Sequence, residues 1–230
     1  MKKNKSFKYR ESTFLGRILW SIVGLALLPV LVLVFLATVM LLGQIPVFSA
    51  TVLEIFCGIL LYSFFHFFVY QPVALYVMSH EFTHAVFALF SGYRVKKIKI
   101  STKGGYVEMS ESNFLIDLAP YFFPLYTIVF TAVFYGLDKL FQLDKYYWLF
   151  FIGFGILISF HVLSNWDVLK IEQPDMNSVG KVFGIIFVLI VNLLIINILL
   201  AVIFAHDINL NIVVTNFIEA GKFVFGLLTN

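Results

Sequence analysis

From Ile18 to Gly43 the chain runs without a single charged residue. A stretch that long and apolar can cross a hydrocarbon core of roughly 30 Å as a helix. In hydrocarbon every backbone N–H and C=O must be satisfied internally, which restricts what the chain can become. The run is too long for a signal peptide's apolar region and lacks a small-residue cleavage site, so it is read as a mature span. The rest of the sequence has the same character: 61% hydrophobic and only 13% charged over 230 residues, against about 45–50% and about 25% in a soluble domain. An all-α polytopic membrane protein is therefore expected, in contact with the lipid bilayer and without nucleic acid as a partner. A multi-pass protein in the cell membrane of a bacterium-like source is the expected localisation.

Further uncharged or nearly uncharged runs follow at Val52–Tyr70, Pro72–Phe90, Phe114–Gly136, Tyr147–Ser164 and Lys181–Phe204. Gln71-Pro72 separates the second from the third, with proline suited to a first helical turn. This predicts about six spans in a single bundle over residues 18–204, after a basic segment at 1–17. Residues 205–230 mix Val213, Phe217 and Val224 with Asn216, Glu219 and Lys222, and read as an amphipathic tail helix lying at the interface. Residues 94–110, "RVKKIKISTKGGYVEMS", alternate apolar and polar positions on both sides of Gly104-Gly105, and so predict a short β-hairpin within 95–110. Cys57 stands alone in an apolar run, which excludes a disulfide framework and predicts a buried packing residue.

Basic residues mark the cytoplasmic side. Lys2, Lys3, Lys5, Lys8, Arg10 and Arg17 claim it for the N-terminus, while Arg94, Lys96, Lys97, Lys99 and Lys103 claim it for the hairpin. Three spans lie between the clusters, so the two claims conflict and the sequence leaves orientation open.

Within the third span, "VMSHEFTHAVFALFSG" carries three costly polar groups. His80, Glu81 and His84 form H-E-x-x-H, and on a helix the i, i+4 spacing stacks both imidazoles on one face. Two neutral imidazole nitrogens so placed can share one Zn²⁺, with Glu81 in reach of the attacking water as general base. Zinc lowers the pKa of water toward about 7 and polarises a carbonyl, which together permit amide hydrolysis. An ionisable group inside a span is a functional hypothesis by default. The plainer reading, three residues hydrogen-bonding between helices, needs no such spacing.

The segment "SHEFTHAVFALFSG" resembles the metal-binding helix of the site-2 protease family, the intramembrane zinc metallopeptidases of peptidase family M50. The order of elements is also similar: motif helix, then "KIKISTKGGYVEM", two spans, then "IEQPDMNSVGKVFG". The resemblance covers roughly residues 72–200 and implies a peptidase core there. It implies one Zn²⁺ per chain held by His80, His84 and a later aspartate, with Glu81 catalytic. Asp175 stands where the family has its aspartate, and Asp167 in "SNWDVLK" is the alternative. Met176 follows Asp175 where the family usually has glycine, and Thr83 replaces another common glycine.

A zinc site needs a third protein ligand beside water, whereas Asp175 as a helix cap and Asp167 as a surface residue are the plainer alternatives. A helical substrate must be unwound before it is cut, and an edge strand can hold it extended. Ile98, Ile100, Gly104 and Gly105 are on this basis candidate substrate-binding residues, against a basic hairpin resting on anionic headgroups. Asn192 could orient a substrate backbone, though both it and Asn197 read more simply as bonding across helices. His66 and His161 are candidates for support of the site or for interhelical hydrogen bonds. Glu54 and Asp117 read as interfacial, and two prolines in "APYFFP" predict a kinked or partly unwound fourth span.

The substrate expected is a membrane protein or membrane peptide. A zinc peptidase with a glutamate ligand would have to use Glu108, Glu111, Glu172 or Glu219, none inside a span, and a di-iron enzyme needs more than five histidines. A transporter, or a relative that binds substrates without cutting them, is the non-catalytic alternative.

Overall fold

The structure, a computed structural model, describes residues 14–101, 104–170, 173–205, 208 and 210–229. Lys2, Lys3, Lys5, Lys8 and Arg10 of the basic segment, together with Lys103 and Glu172, lie outside the described residues. The chain divides into two compact units, one built on Pro46–Gln173, the other on Lys8–Ile45 with Pro174–Asn230. Among the described residues, five helices are long and apolar enough to cross a membrane, or six if one bent pair counts as a span.

The Pro46–Gln173 unit holds α3 (Ala50–Phe68), α4 (Val73–Phe90), β1 (Val95–Ser101), β2 (Gly104–Met109), α5 (Phe114–Phe122), α6 (Leu125–Phe141) and α7 (Tyr147–Leu169). The other unit holds α1 (Phe14–Ala26), α2 (Leu28–Leu42), α8 (Pro174–Val179), α9 (Lys181–Ile203) and α10 (Leu210–Thr229). Ser49 starts α3 by accepting from the Val52 N–H, and Asn113 starts α5 by accepting from the Ile116 N–H. Each side chain satisfies a donor that the first helical turn leaves over.

Helices α3 and α7 cross so closely that only glycine fits at the crossing. A Cβ on Gly58 would lie 2.1 Å from the Ile152 carbonyl oxygen, and one on Gly155 would lie 2.1 Å from that of Ile55. Small residues at such crossings let backbones approach where the lipid supplies no hydrophobic drive for association. Phe150 of α7 stacks on Phe130 and Phe134 of α6, at centroid distances of 5.5 and 4.4 Å.

The sheet pairs β1 and β2 antiparallel, with Ile98 opposite Val107 and Ile100 opposite Gly105. The hairpin is therefore present, but Gly104 and Gly105 belong to β2 and are not its turn. Its inner face meets α4 and α5 through Met109, Val95, Val107, Ala88 and Ile116.

The kink expected in the fourth span is present as a break, two helices, α5 and α6, meeting at a 69° bend. Pro124 cannot donate a backbone hydrogen bond, and Phe123 takes an extended conformation (φ −95°, ψ 103°). Cys57 is exposed rather than buried, because an apolar side chain on a membrane helix can face outward without cost. Asp117 is 7% exposed and accepts a hydrogen bond from Ser112, so it is buried within the protein with a partner. The fifth span also runs further than expected, to Leu169, carrying Asn165 and Asp167 inside the helix.

In the second unit α1 and α9 pack together, as do α2 with α9 and α10 with α2. Asn197 donates to Thr38 Oγ1 at 2.7 Å, so it bonds across helices as expected. Asn192 donates to the Val188 carbonyl of its own helix. The tail forms α10 with Val213, Asn216 and Ala220 buried, and Gln44 donates to Asn216 Oδ1 at 3.0 Å.

Candidate metal centre and the strand beside it

Helix α4 presents His80, Glu81 and His84 within one turn, with Glu81 and His84 buried and His80 partly so. The helical spacing brings the two imidazoles together, their Nε2 atoms 3.2 Å apart and their rings edge to face. His84 Nδ1 lies 2.8 Å from the Ile116 carbonyl oxygen. A carbonyl only accepts, so Nδ1 of neutral His84 carries the proton and Nε2 presents its lone pair. Metal-ligating histidines are held in this way, by a second hydrogen bond on the far ring nitrogen. On His80 the Tyr76 hydroxyl lies 3.0 Å from Nδ1, and the Tyr121 ring meets the imidazole edge to face.

No known family model, characterised protein or solved structure matches this chain. What its residues can do rests on their own geometry and chemistry.

Thr83 is fully buried and donates back to the Ser79 carbonyl, which uses up a hydroxyl that would otherwise compete for a site partner. Glu81 meets the hairpin. A Cβ on Gly105 would stand 2.6 Å from Glu81 Cγ, 2.8 Å from Glu81 Oε1 and 2.7 Å from the Lys99 carbonyl oxygen. Only a residue without a side chain lets β2 run so close to the carboxylate. Of the candidate substrate-binding residues, Gly105 is therefore the one set directly against Glu81. Ile98 and Ile100 lie across the ladder on β1, and Gly104 begins β2 opposite Ser101.

Asp175 is buried in the first turn of α8, in the unit that also holds Asn192. Gly180, at φ +84°, takes the left-handed turn between α8 and α9, a conformation that side chains resist. Within the Pro46–Gln173 unit, His80 and His84 offer two imidazole nitrogens that could take a metal ion, and a carboxylate such as that of Asp175 is the ligand type that completes such a set.

Asp167 is engaged elsewhere. Its Oδ2 lies 2.8 Å from His66 Nε2, and its Oδ1 accepts from Lys170 Nζ at 2.7 Å. His66 is thereby an interhelical histidine joining α3 to α7, with Tyr62 at 3.3 Å from its other nitrogen. His161 lies within 3.2 Å of the Asn165 side-chain amide on its own helix.

Sequence reasoning passed over Tyr76 and Asn165. The signal for Tyr76 was its position one turn before His80, where i, i+4 side chains meet. Asn165 had its polarity inside an apolar helix and its place one turn after His161 to mark it, while its partners on other helices are 44 to 89 residues away.

Proposed function

We propose that the chain is an intramembrane zinc metalloendopeptidase of the site-2 protease kind, hydrolysing a peptide bond in or near a transmembrane segment of a membrane protein or peptide. The observation that carries this reading is the pair of Nε2 atoms converging at 3.2 Å, beside Glu81, on one turn of a membrane-type helix. His80, His84 and Asp175 are the ligands, and Asp167 is set aside because His66 and Lys170 occupy its two oxygens.

Zinc held there would polarise the scissile carbonyl and make water a nucleophile near neutral pH. Glu81 Oε1 takes the proton from the attacking water and returns it to the leaving amine nitrogen, as a general base and then a general acid. The substrate segment lies extended along the hairpin, whose edge gives it backbone hydrogen bonds in place of those of its helix. Gly105 then serves two surfaces, clearing room for Glu81 on one side and carrying the strand past it on the other. Shape and chemistry along the hairpin and α4 select the substrate.

The reading is tested by measuring zinc in the purified chain and peptidase activity on membrane-peptide substrates, for wild type and Glu81→Gln. One zinc per wild-type chain, with activity lost but metal kept in Glu81→Gln, is the expected result. A wild-type chain that takes up no zinc sinks the proposal.

A further inference from the structure

Val95 and Ile98 are three residues apart, so an unbroken strand would turn them to opposite faces. Lys96 prevents this as an extra residue: Val95 pairs with Met109 and Lys97 with Glu108, the register shifting between them. The bulge returns Val95 to the face of Ile98 and Ile100, the one that packs on α4 and α5 through Val95, Val107 and Met109. It leaves Lys97 and Lys99 together on the outer face, with Glu108 and Tyr106 across the ladder. Both lysines, and Lys96 at the bulge, are exposed.

The strand runs back along α4 from its end toward its middle. Val95 and Met109 pack by Ala88, near the helix terminus, whereas Gly105 meets Glu81, the ninth of the 18 residues. The stretch of helix between Ala88 and Glu81 is about 10 Å long. Lys99 is level with Glu81, since its carbonyl oxygen lies 2.7 Å from the same Gly105 Cβ position. Ionisable groups at the depth of a span face protein or water rather than lipid. Headgroups at the end of α4 are therefore poor partners for Lys99. An extended segment added to β1 is a better one, because every second side chain of it stands beside Lys97 and Lys99. The side chain between points to the face of Glu81, where a further carboxylate would be repelled. Glu108 is half-buried opposite Lys97, while the Lys99 ammonium lies 6.0 Å from the Tyr106 ring centre. The cation level with Glu81 is thus the one without an acid opposite it.

We infer that β1 selects its substrate by charge: the added strand carries two acidic side chains, seated on Lys97 and Lys99, with one uncharged residue between them. The inference rests on the strand addition proposed above and names the class of segment that it takes.

The test reads binding to the full-length chain in neutral detergent and needs no cleavage. Three otherwise identical apolar peptides, with Glu-Ala-Glu, Gln-Ala-Gln or Lys-Ala-Lys at the centre and an uncharged dye, are titrated by fluorescence anisotropy. Wild type should bind the acidic peptide about tenfold more tightly than the Gln peptide, and the basic peptide most weakly. Lys99→Gln should remove most of the preference and Lys99→Glu should reverse it. Lys97→Glu should act in the same direction but less strongly, since Glu108 already stands opposite. Equal or absent binding of the three peptides by wild type, or a preference that survives Lys99→Glu, overturns the inference. Retention of added phosphatidylglycerol by wild type but not by Lys99→Glu, with peptide affinities unchanged, assigns the face to headgroups and overturns it as well. Zinc content of the same samples separates the two readings. Charge preference without zinc removes the peptidase and keeps the inference, whereas zinc without charge preference does the reverse.

Discussion

Two of the histidine sites in the Pro46–Gln173 unit make an instructive pair, both built from i, i+4 neighbours on apolar helices. At His66 the neighbour is Tyr62, and the far nitrogen reaches Asp167 of another helix at 2.8 Å. Both ring nitrogens thus have protein partners suited to them, a hydroxyl and a carboxylate. At His80 and His84 the outer nitrogens are held by Tyr76 and Ile116, which turns the two inner nitrogens on each other. The two Nε2 atoms lie 3.2 Å apart, a separation at which a cation could take a nitrogen from each. The number of histidines is therefore a poorer guide to function than what their ring nitrogens face.

The strongest way to break this contrast is to remove a ligand. His84→Ala should abolish zinc uptake, read as metal per purified chain, whereas His66→Ala should leave it at one per chain. Equal loss in both would erase the distinction. Next in size is Glu81→Gln, expected to lower peptidase turnover by roughly 10²–10⁴-fold with zinc retained. The two aspartates sharpen the contrast further: Asp175→Asn should lower zinc occupancy, and Asp167→Asn should keep zinc but lower the melting temperature. Separating a carboxylate from His66 and Lys170 costs about 1–3 kcal/mol. Zinc loss in Asp167→Asn alone would reverse the ligand assignment. Smaller again is Gly105→Ala, whose methyl would meet Glu81 Cγ at 2.6 Å. Displacing the carboxylate by a fraction of an ångström should reduce turnover by about tenfold or more, without loss of metal. Unchanged turnover would mean that the hairpin does not govern Glu81.

Much of the architecture could be read from the chain because hydrophobic length and periodicity are local properties. The uncharged runs located α3, α4, α7 and α9, and alternation around Ile98 and Val107 located the hairpin. His80, Glu81 and His84 were legible for the same reason, since one helical turn converts their spacing into proximity. The prolines of "APYFFP" announced a disturbance, yet they did not reveal a 69° bend, which depends on where the freed carbonyls find donors. Cys57 was misplaced because side-chain type does not say which way a membrane helix faces. Gly105 against Glu81, and Asn165 against Pro120 and Tyr121, join residues 24 to 45 positions apart, and no periodic pattern encodes such meetings.

The break at Pro124 has a thermodynamic character of its own. A hinge opens and closes because the same hydrogen bonds can form and dissolve. Here the missing bond has no donor to form it, so thermal motion cannot anneal the two segments into one straight rod. The interruption is consequently a fixed property of every folded molecule rather than a state that substrate must induce. Rate differences among substrates would then arise from how readily each segment gives up its own helix.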